Sequence, residues 1–249
     1  MISMTKIGSA AAFAVLMVAV PAASPAAAQV QGNAEWQTPL VYGGIQVVYA
    51  RPTGEFRDYV RHGGGLNANM LWTPVRNGPL GLRADGGFVV YGSERHRVCF
   101  SGTVGCRVQL DLTTTNSIAY LNVGPQLMVP TGPVRPYANG AVGFSYFATT
   151  SQLQGSRDSE AFASSTNFDD FTFAWLAGGG VLVPVSAGRN VVMLDLGARY
   201  HNNGEVEYLT RGDIVDNPDG SISFTPTRSQ ANLWTVQLGV TVGVRSQRR

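Results

Sequence analysis

The chain has 249 residues, of which 14% are charged and 44% are hydrophobic, and its formal net charge is +2. A charge balance so close to neutral argues against nucleic acid as a partner, because nucleic-acid-binding domains carry clustered positive charge. Average proteins have about a quarter of their residues charged, so the low fraction here fits a protein with much of its surface in hydrocarbon.

Residues 1–28 are predicted to be a secretory signal peptide. Lys6 supplies the positive charge, residues 7–20 form an uncharged apolar stretch, and Ala26–Ala28 provide small residues for cleavage. Two prolines interrupt this segment, which disfavours a permanent transmembrane helix. Removal of Lys6 with the signal would lower the net charge from +2 to +1.

The connections in the remaining chain alternate between short and long. The short ones lie at Pro74–Pro79, Pro130–Pro133 and Val185–Asn190. The long polar ones lie around Pro52–Gly64, Gly92–Leu112, Ala148–Asp170 and Asn202–Gln230. This rhythm is typical of an antiparallel membrane barrel with periplasmic turns and extracellular loops. We therefore predict a periplasmic lead-in at 29–40, a barrel at 41–244 and a basic periplasmic tail at 245–249.

Eight segments between these connections place apolar residues at every second position, as a membrane-crossing strand requires. In chain order the apolar positions are Ile45, Val47 and Tyr49; Leu66, Ala68, Met70 and Trp72; Leu82, Ala84, Phe88 and Val90; Ala119, Leu121, Val123 and Leu127; Val142, Phe144 and Tyr146; Phe171, Phe173, Trp175, Val181 and Val183; Val192, Leu194, Leu196 and Tyr200; and Val236, Leu238, Val240 and Val242. The sequence therefore predicts an all-β, eight-stranded, up-and-down transmembrane barrel.

The opposite face of the segments is small, polar or charged. Its charged residues are Arg83, Asp85, Arg135, Asp195 and Arg199. A soluble barrel would place charges on its outer face, so we expect lipid outside and these charges in the lumen. Unpaired, each would cost several kcal/mol of desolvation, so we predict a paired network that fills the lumen. The alternative is an ion or proton path through the same groups.

Aromatic residues concentrate near the loop ends of the apolar face. They are Tyr49, Tyr146, Phe171, Phe173, Tyr200 and Trp234, with Trp72 near a short turn. Amphipathic rings at this position are typical of the girdles at membrane interfaces, so these residues are predicted to mark headgroup depth.

Cys99 and Cys106 are the only cysteines and lie close together in the second long connection. In an oxidising compartment this spacing favours a disulfide that pins a loop hairpin. A metal site that includes His96 is the alternative, but it lacks a fourth ligand and the usual spacing. We predict no metal and no cofactor.

Two other long connections carry polar clusters. Asp213, Asp216 and Asp219 could collect calcium, but the Asn-Pro-Asp-Gly sequence at 217–220 is already explained as a turn. The stretch Thr149–Asn167 is rich in Ser and Gln, which is typical of an exposed loop that could bind a ligand.

The chain resembles the small eight-stranded outer-membrane barrels of the OmpA-like or OmpX-like type. The residues that carry the resemblance are Pro136–Gly143, Gly178–Val181 and Leu196–Tyr200. The resemblance implies a fold and an outer-membrane location but no activity. The chain departs from the family in its last strand, which usually ends on an aromatic residue and here ends Val242-Gly243-Val244.

His201 is the best candidate for a catalytic residue. Its surroundings are similar to a region of outer-membrane lipid A deacylases in which a nucleophilic Ser follows the His by two positions. Asn203 occupies that position here and cannot form an acyl intermediate. We therefore expect no enzyme activity, and a lipid A deacylase-like enzyme remains the alternative.

The sequence as a whole predicts a monomeric, non-catalytic outer-membrane protein with a structural or surface-binding role. Its expected partners are outer-membrane lipid, lipopolysaccharide and an extracellular ligand bound through the loops, with no nucleic acid. A small-solute, porin-like channel is a second alternative.

Overall fold

The computed structural model of the chain describes residues 38–99, 109–155, 161–187, 190–210, 213–216 and 222–244. The predicted signal peptide and basic tail lie outside these ranges, as does the lead-in up to residue 37. Within them, no helix has the length and apolar character needed to cross a membrane.

Eight long strands form one antiparallel sheet. They are β1 (Val41–Pro52), β2 (Gly63–Trp72), β3 (Leu80–Cys99), β4 (Gln109–Met128), β5 (Arg135–Gly155), β6 (Ala161–Ala187), β7 (Asn190–Asn203) and, last in the chain, β12 (Leu233–Val244). Each of these eight strands pairs with the next one in the list. β12, the last, also pairs with β1, so the sheet closes into a barrel. The predicted fold class is confirmed.

Side chains alternate between the two sides of the barrel wall, because successive Cβ atoms of a strand point to opposite faces. On β1, for example, Val47 is 65% exposed on the outside and Gln46 is 1% exposed on the inside. The same alternation makes the outer wall apolar on every barrel strand. Exposed apolar side chains over a whole barrel wall require hydrocarbon as the surrounding solvent.

Two connections that were predicted as loops are largely strand. β3 and β4 continue through most of Gly92–Leu112, and β5 and β6 continue through most of Ala148–Asp170. Strands of 20 to 27 residues are about twice as long as a bilayer crossing needs. The four strands therefore extend beyond the membrane as a sheet in water, where both faces can be polar and the apolar alternation disappears.

The long connections lie at one end of the barrel and the tight turns at the other, so we assign the long ones to the extracellular side. The connection from β1 to β2 contains one helical turn, α1 (Phe56–Tyr59). The described part of the predicted loop Asn202–Gln230 contains two antiparallel strand pairs. β8 (Glu205–Tyr208) pairs with β11 (Thr227–Gln230), and β9 (Ile214–Asp216) pairs with β10 (Ile222–Phe224).

Replacing Val47 by Arg is expected to lower the free energy of unfolding by about 2–4 kcal/mol, because it places a charge on the lipid face near mid-bilayer. Gln152 is exposed on the extracellular extension of β5, so Gln152→Arg is the matched control and should change stability by less than about 0.5 kcal/mol. Urea unfolding of both variants in lipid vesicles provides the measurement. Equal losses would contradict the lipid-facing assignment of β1.

Candidate functional site in the barrel lumen and its extracellular mouth

A buried carboxylate lies at the centre of the lumen. Asp85 accepts hydrogen bonds from Arg83 Nε at 3.0 Å to each oxygen, and from Arg199 Nη1 at 2.9 Å. Asn67 Nδ2 donates a further bond at 3.1 Å, and Arg83 Nη1 reaches Gln126 Oε1 at 3.0 Å. The side chains of the three charged residues are at most 3% exposed. One carboxylate thus holds two guanidinium groups away from water.

The second lumenal carboxylate, Asp195, is held by neutral donors. Gln46 Nε2 donates to Asp195 Oδ2 at 3.0 Å, and the Tyr137 hydroxyl donates to Oδ1 at 2.8 Å. The two halves are joined because Asn67 Nδ2 also donates to Gln46 Oε1 at 2.9 Å. Two Asp and two Arg residues balance in charge, so we call this connected set the lumenal polar network.

Seven of the eight barrel strands contribute a side chain to the lumenal polar network. The eighth strand, β6, has glycines at the facing positions, and these leave room for the side chains of its neighbours. A Cβ atom at Gly178 on β6 would lie 2.8 Å from Arg199 Cγ. A Cβ atom at Gly180 would lie at the same 2.8 Å from the Tyr137 hydroxyl. The glycines of β6 therefore allow the longest side chains of the network to lie across the lumen.

Arg135 is not in this network, contrary to the sequence prediction. It lies at the start of β5 and is only half-buried. Its Nη1 contacts Met193 Sδ at 3.9 Å and its Nε contacts the Gly132 carbonyl at 3.5 Å, both weak interactions. Strand alternation correctly gives Arg135 an inward direction. At the first position of β5, beside the turn, its guanidinium reaches Met193 and, among the described residues, makes no hydrogen bond to Asp85 or Asp195.

The extracellular end of the lumen is filled by apolar side chains from the wall and from the connections. We call this set the extracellular apolar cluster; it comprises Val48, Ala50, Phe56, Val60, Val89, Ile118, Tyr120, Phe147, Val206, Tyr208, Ala231 and Leu233, with Tyr91 packed against it. Phe56 on α1 lies at its centre, with ring centroids 5.0 Å from Tyr208, 5.4 Å from Tyr91 and 6.4 Å from Phe147.

A second buried set fills the periplasmic end of the lumen. This periplasmic apolar cluster comprises Tyr42, Leu71, Met128, Tyr137, Leu182, Val191 and Met193. Tyr137 belongs to this cluster and also to the lumenal polar network, because its ring packs here and its hydroxyl donates a hydrogen bond to Asp195. The lumen is thus layered along its axis as apolar, polar and apolar.

His201 and Asn203 lie inside the extracellular half of the lumen. His201 Nε2 is 3.2 Å from Thr235 Oγ1, and the imidazole is 4% exposed. Asn203 Nδ2 donates to the Ala231 carbonyl at 2.6 Å, and its Oδ1 accepts a bond from Ser145 Oγ at 2.7 Å. Both side chains are therefore engaged in fixing the wall and the segment that leads into β12.

The extracellular extension of β3–β6 carries an ion pair and a row of hydroxyl groups. Arg95 Nη2 is 2.6 Å from Asp111 Oδ2, and this hydrogen bond from Arg95 holds the pKa of Asp111 below its ordinary value. On the other face Thr114 Oγ1 lies 2.8 Å from Ser151 Oγ, and Thr149 donates to Asn116 at 2.8 Å. The extension therefore carries an ion pair on one face and mutually hydrogen-bonded hydroxyl and amide groups on the other.

The remaining predicted sites fall partly outside the described residues. Cys106 and Asp219 lie there, so the disulfide and the calcium alternative stay predictions. Asp213 Oδ2 accepts hydrogen bonds from the Thr210 backbone N–H at 2.7 Å and from Thr210 Oγ1 at 2.9 Å. Such bonds between a carboxylate and the nearby backbone are typical of turns. His96 lies 3.4 Å from Glu94, and among the described residues no three His, Cys, Asp or Glu side chains are grouped for a metal ion.

The neutral members of the lumenal polar network were missed as site residues from the sequence. They are Gln46, Asn67, Tyr120, Gln126, Tyr137 and Gln237. Strand alternation could have identified them, because it puts each of these residues on the same inward face as the charged residues. A buried charge needs more hydrogen bonds than its ion-pair partner supplies, and the amides and phenols on that face were the groups that could supply them.

No protein-family model matches this sequence, and no curated protein sequence matches it. Solved structures do align with it. Neisserial surface protein A is 16% identical, over 82% of this chain and 96% of its own, with a TM-score of 0.37. Ail, the attachment invasion locus protein of Yersinia pestis, is 15% identical over 82% and 98%, with a TM-score of 0.38. A major outer membrane protein of Thermus thermophilus is 14% identical over 82% and 99%, also with a TM-score of 0.38.

Four features of this chain are together typical of one architecture. The sheet is closed, its outer wall is apolar, its interior is polar, and tight turns alternate with long extracellular connections. The chain therefore has the fold of a small eight-stranded, up-and-down transmembrane β-barrel.

Proposed function

We propose that this protein is a monomeric, non-catalytic component of the cell envelope, with a closed lumen and a structural or surface-binding role. The observation that carries the proposal is the layering of the lumen. A solute would have to displace the extracellular apolar cluster, break the lumenal polar network and then displace the periplasmic apolar cluster. An eight-stranded barrel is just wide enough for its own side chains, which supports closure on general grounds.

The surroundings of His201 support the absence of hydrolase activity. The hydroxyl group bonded to His201 belongs to Thr235, and both side chains are buried in the lumen, at 4% and 2% exposed. A lipid substrate in the outer leaflet would have no route to this pair, because the barrel wall separates them. Asn203, two positions after His201, has no hydroxyl, and both polar atoms of its side chain are hydrogen-bonded within the protein.

The extracellular extension of β3–β6 supports the surface-binding role. Most of its outward side chains are Ser, Thr or Gln, and its one buried carboxylate, Asp111, is paired with Arg95 and Arg97. A sheet held above the membrane with few charges free for pairing is suited to contacts made by hydrogen bonds rather than by ion pairs.

Two measurements on the full-length mature protein test the proposal. Planar-bilayer recordings are expected to show no steady single channels, and regular conductance steps would overturn the closed lumen. Mass spectrometry of lipid A from cells that overproduce the protein is expected to show the same acyl-chain number as in cells without it. Loss of an acyl chain would overturn the non-catalytic assignment.

A further inference from the structure

The outer wall of the barrel carries a strip of paired apolar residues that ends in a cation. On adjacent strands β1 and β12 the outward cross-strand pairs are Ile45 with Val240, Val47 with Leu238, and Tyr49 with Val236. All six side chains are at least 45% exposed. The next outward pair toward the extracellular side is Arg51 with Trp234. An apolar strip that leads up to an indole and a guanidinium has the polarity profile of an amphipathic lipid.

The ring of Trp234 belongs to a row of outward aromatic side chains. Tyr200 on β7 pairs with Trp234, with ring centroids 5.4 Å apart, and Trp175 lies 5.9 Å from Tyr200. Such rings mark the depth of the headgroups. Arg51 therefore lies at the height where the acyl chains of an outer-leaflet lipid end and its headgroup begins.

The guanidinium of Arg51 is available for a ligand. It is exposed, and among the described residues it has no ion pair or hydrogen bond. The register of Ala50 with Gly63 brings the preceding residues Arg61 and His62, both exposed, to the same corner of the barrel. Arg95 and Arg97, higher on the extension, are instead paired with Asp111.

A different part of the collar has the opposite charge. Asp169 is exposed on β6, two strands beyond β12 around the barrel, and precedes the outward ring of Phe171 by two positions. An anionic headgroup would be repelled there and attracted to the β1 side. The asymmetry of charge selects one face of a wall that is apolar all round.

We propose that the strip on β1 and β12, with Arg51 and Trp234 at its upper end, binds a phosphate-bearing lipid of the outer leaflet, namely the lipid A part of lipopolysaccharide. The guanidinium of Arg51 holds a phosphate group, Trp234 packs at the junction of headgroup and chain, and the acyl chains lie on the three apolar pairs. The site is on the lipid-facing wall, so a negative result for lipid binding would not affect the proposed closure of the lumen, and an open lumen would not exclude lipid binding.

Native mass spectrometry in uncharged detergent tests the site, with bisphosphorylated lipid A added to the mature protein. Arg51→Gln is expected to weaken binding roughly fivefold to tenfold, since a charge-assisted hydrogen bond is lost at a partly solvated position. Arg51→Lys should recover part of the affinity. The matched control is Arg228→Gln, because Arg228 lies on the same side of the membrane but is already paired with Glu205 at 3.1 Å. Unchanged binding by Arg51→Gln, or an equal loss in Arg228→Gln, would overturn the proposal.

A second comparison changes the lipid instead of the protein, so it does not require any variant to fold. The wild-type protein is expected to bind dephosphorylated lipid A several times more weakly than the bisphosphorylated form. Equal affinity for the two lipids would show that only the apolar wall is recognised and would overturn the phosphate assignment. Binding of inorganic phosphate alone as tightly as lipid A would overturn the assignment to a lipid.

Discussion

Replacing Asp85 by Asn is expected to lower the free energy of unfolding by about 3–5 kcal/mol. The substitution keeps the shape of the side chain and removes the charge that holds Arg83 and Arg199, which are 3% and 2% exposed. A buried charge that loses its partner pays its desolvation cost without compensation. Asp195 does not replace it in this structure, because the hydrogen bonds to its two oxygens come from Gln46 and Tyr137 and not from either guanidinium. Urea titration in lipid vesicles, followed by heat-modifiable gel migration, measures the change.

Two comparisons separate this electrostatic cause from general disruption. Asp111→Asn also breaks a carboxylate–guanidinium pair, but Arg95 is 60% exposed there, so water can solvate it and the loss should stay below about 1 kcal/mol. Adding Arg199→Gln to Asp85→Asn removes one of the two uncompensated charges, so the double variant should lose less than the sum of the single ones. Additive losses would contradict the uncompensated-charge account.

The lumenal polar network shows which parts of a barrel can be predicted from sequence. Strand alternation gives the facing of every residue, so Arg83 and Asp85, two positions apart on one strand, were expected on one face. The contact between Arg199 and Asp85 depends on how far the strands are staggered around the barrel, which no single strand encodes. Arg135 illustrates the same limit, because alternation determines its direction and leaves its depth undetermined.

The extracellular half was harder to predict for a different physical reason. Apolar alternation identifies a strand only where one face meets lipid, so the sheet beyond the bilayer, such as Thr113–Thr115 on β4, has the composition of a loop. Likewise, Phe56 and Tyr208 lie in connections without periodicity, and their contact at 5.0 Å joins segments that are far apart in the chain. Aromatic residues inside otherwise polar connections were the signal that these segments fold back into the mouth.

Replacing Phe56 by Ala is expected to release the β1–β2 connection from the extracellular apolar cluster while the barrel stays folded. Phe56 is 1% exposed and contacts the rings of Tyr91, Phe147 and Tyr208, so its truncation should cost about 3–5 kcal/mol. That cost falls on the docking of one segment rather than on the sheet, so local opening should increase about a hundredfold or more. Trypsin cleavage after the exposed Arg57 and Arg61 reports the opening.

Tyr59→Ala is the matched control, because it removes a ring from the same helical turn at a side chain that is 52% exposed. Its cleavage rate should stay within a fewfold of wild type. Equal acceleration in both variants would show that Phe56 does not anchor the connection. Even with this connection released, the lumenal polar network and the periplasmic apolar cluster still fill the barrel. Phe56→Ala should therefore be cut readily by trypsin and still form no steady channel in a planar bilayer, because the proposed closure of the lumen rests on three layers and the substitution opens one.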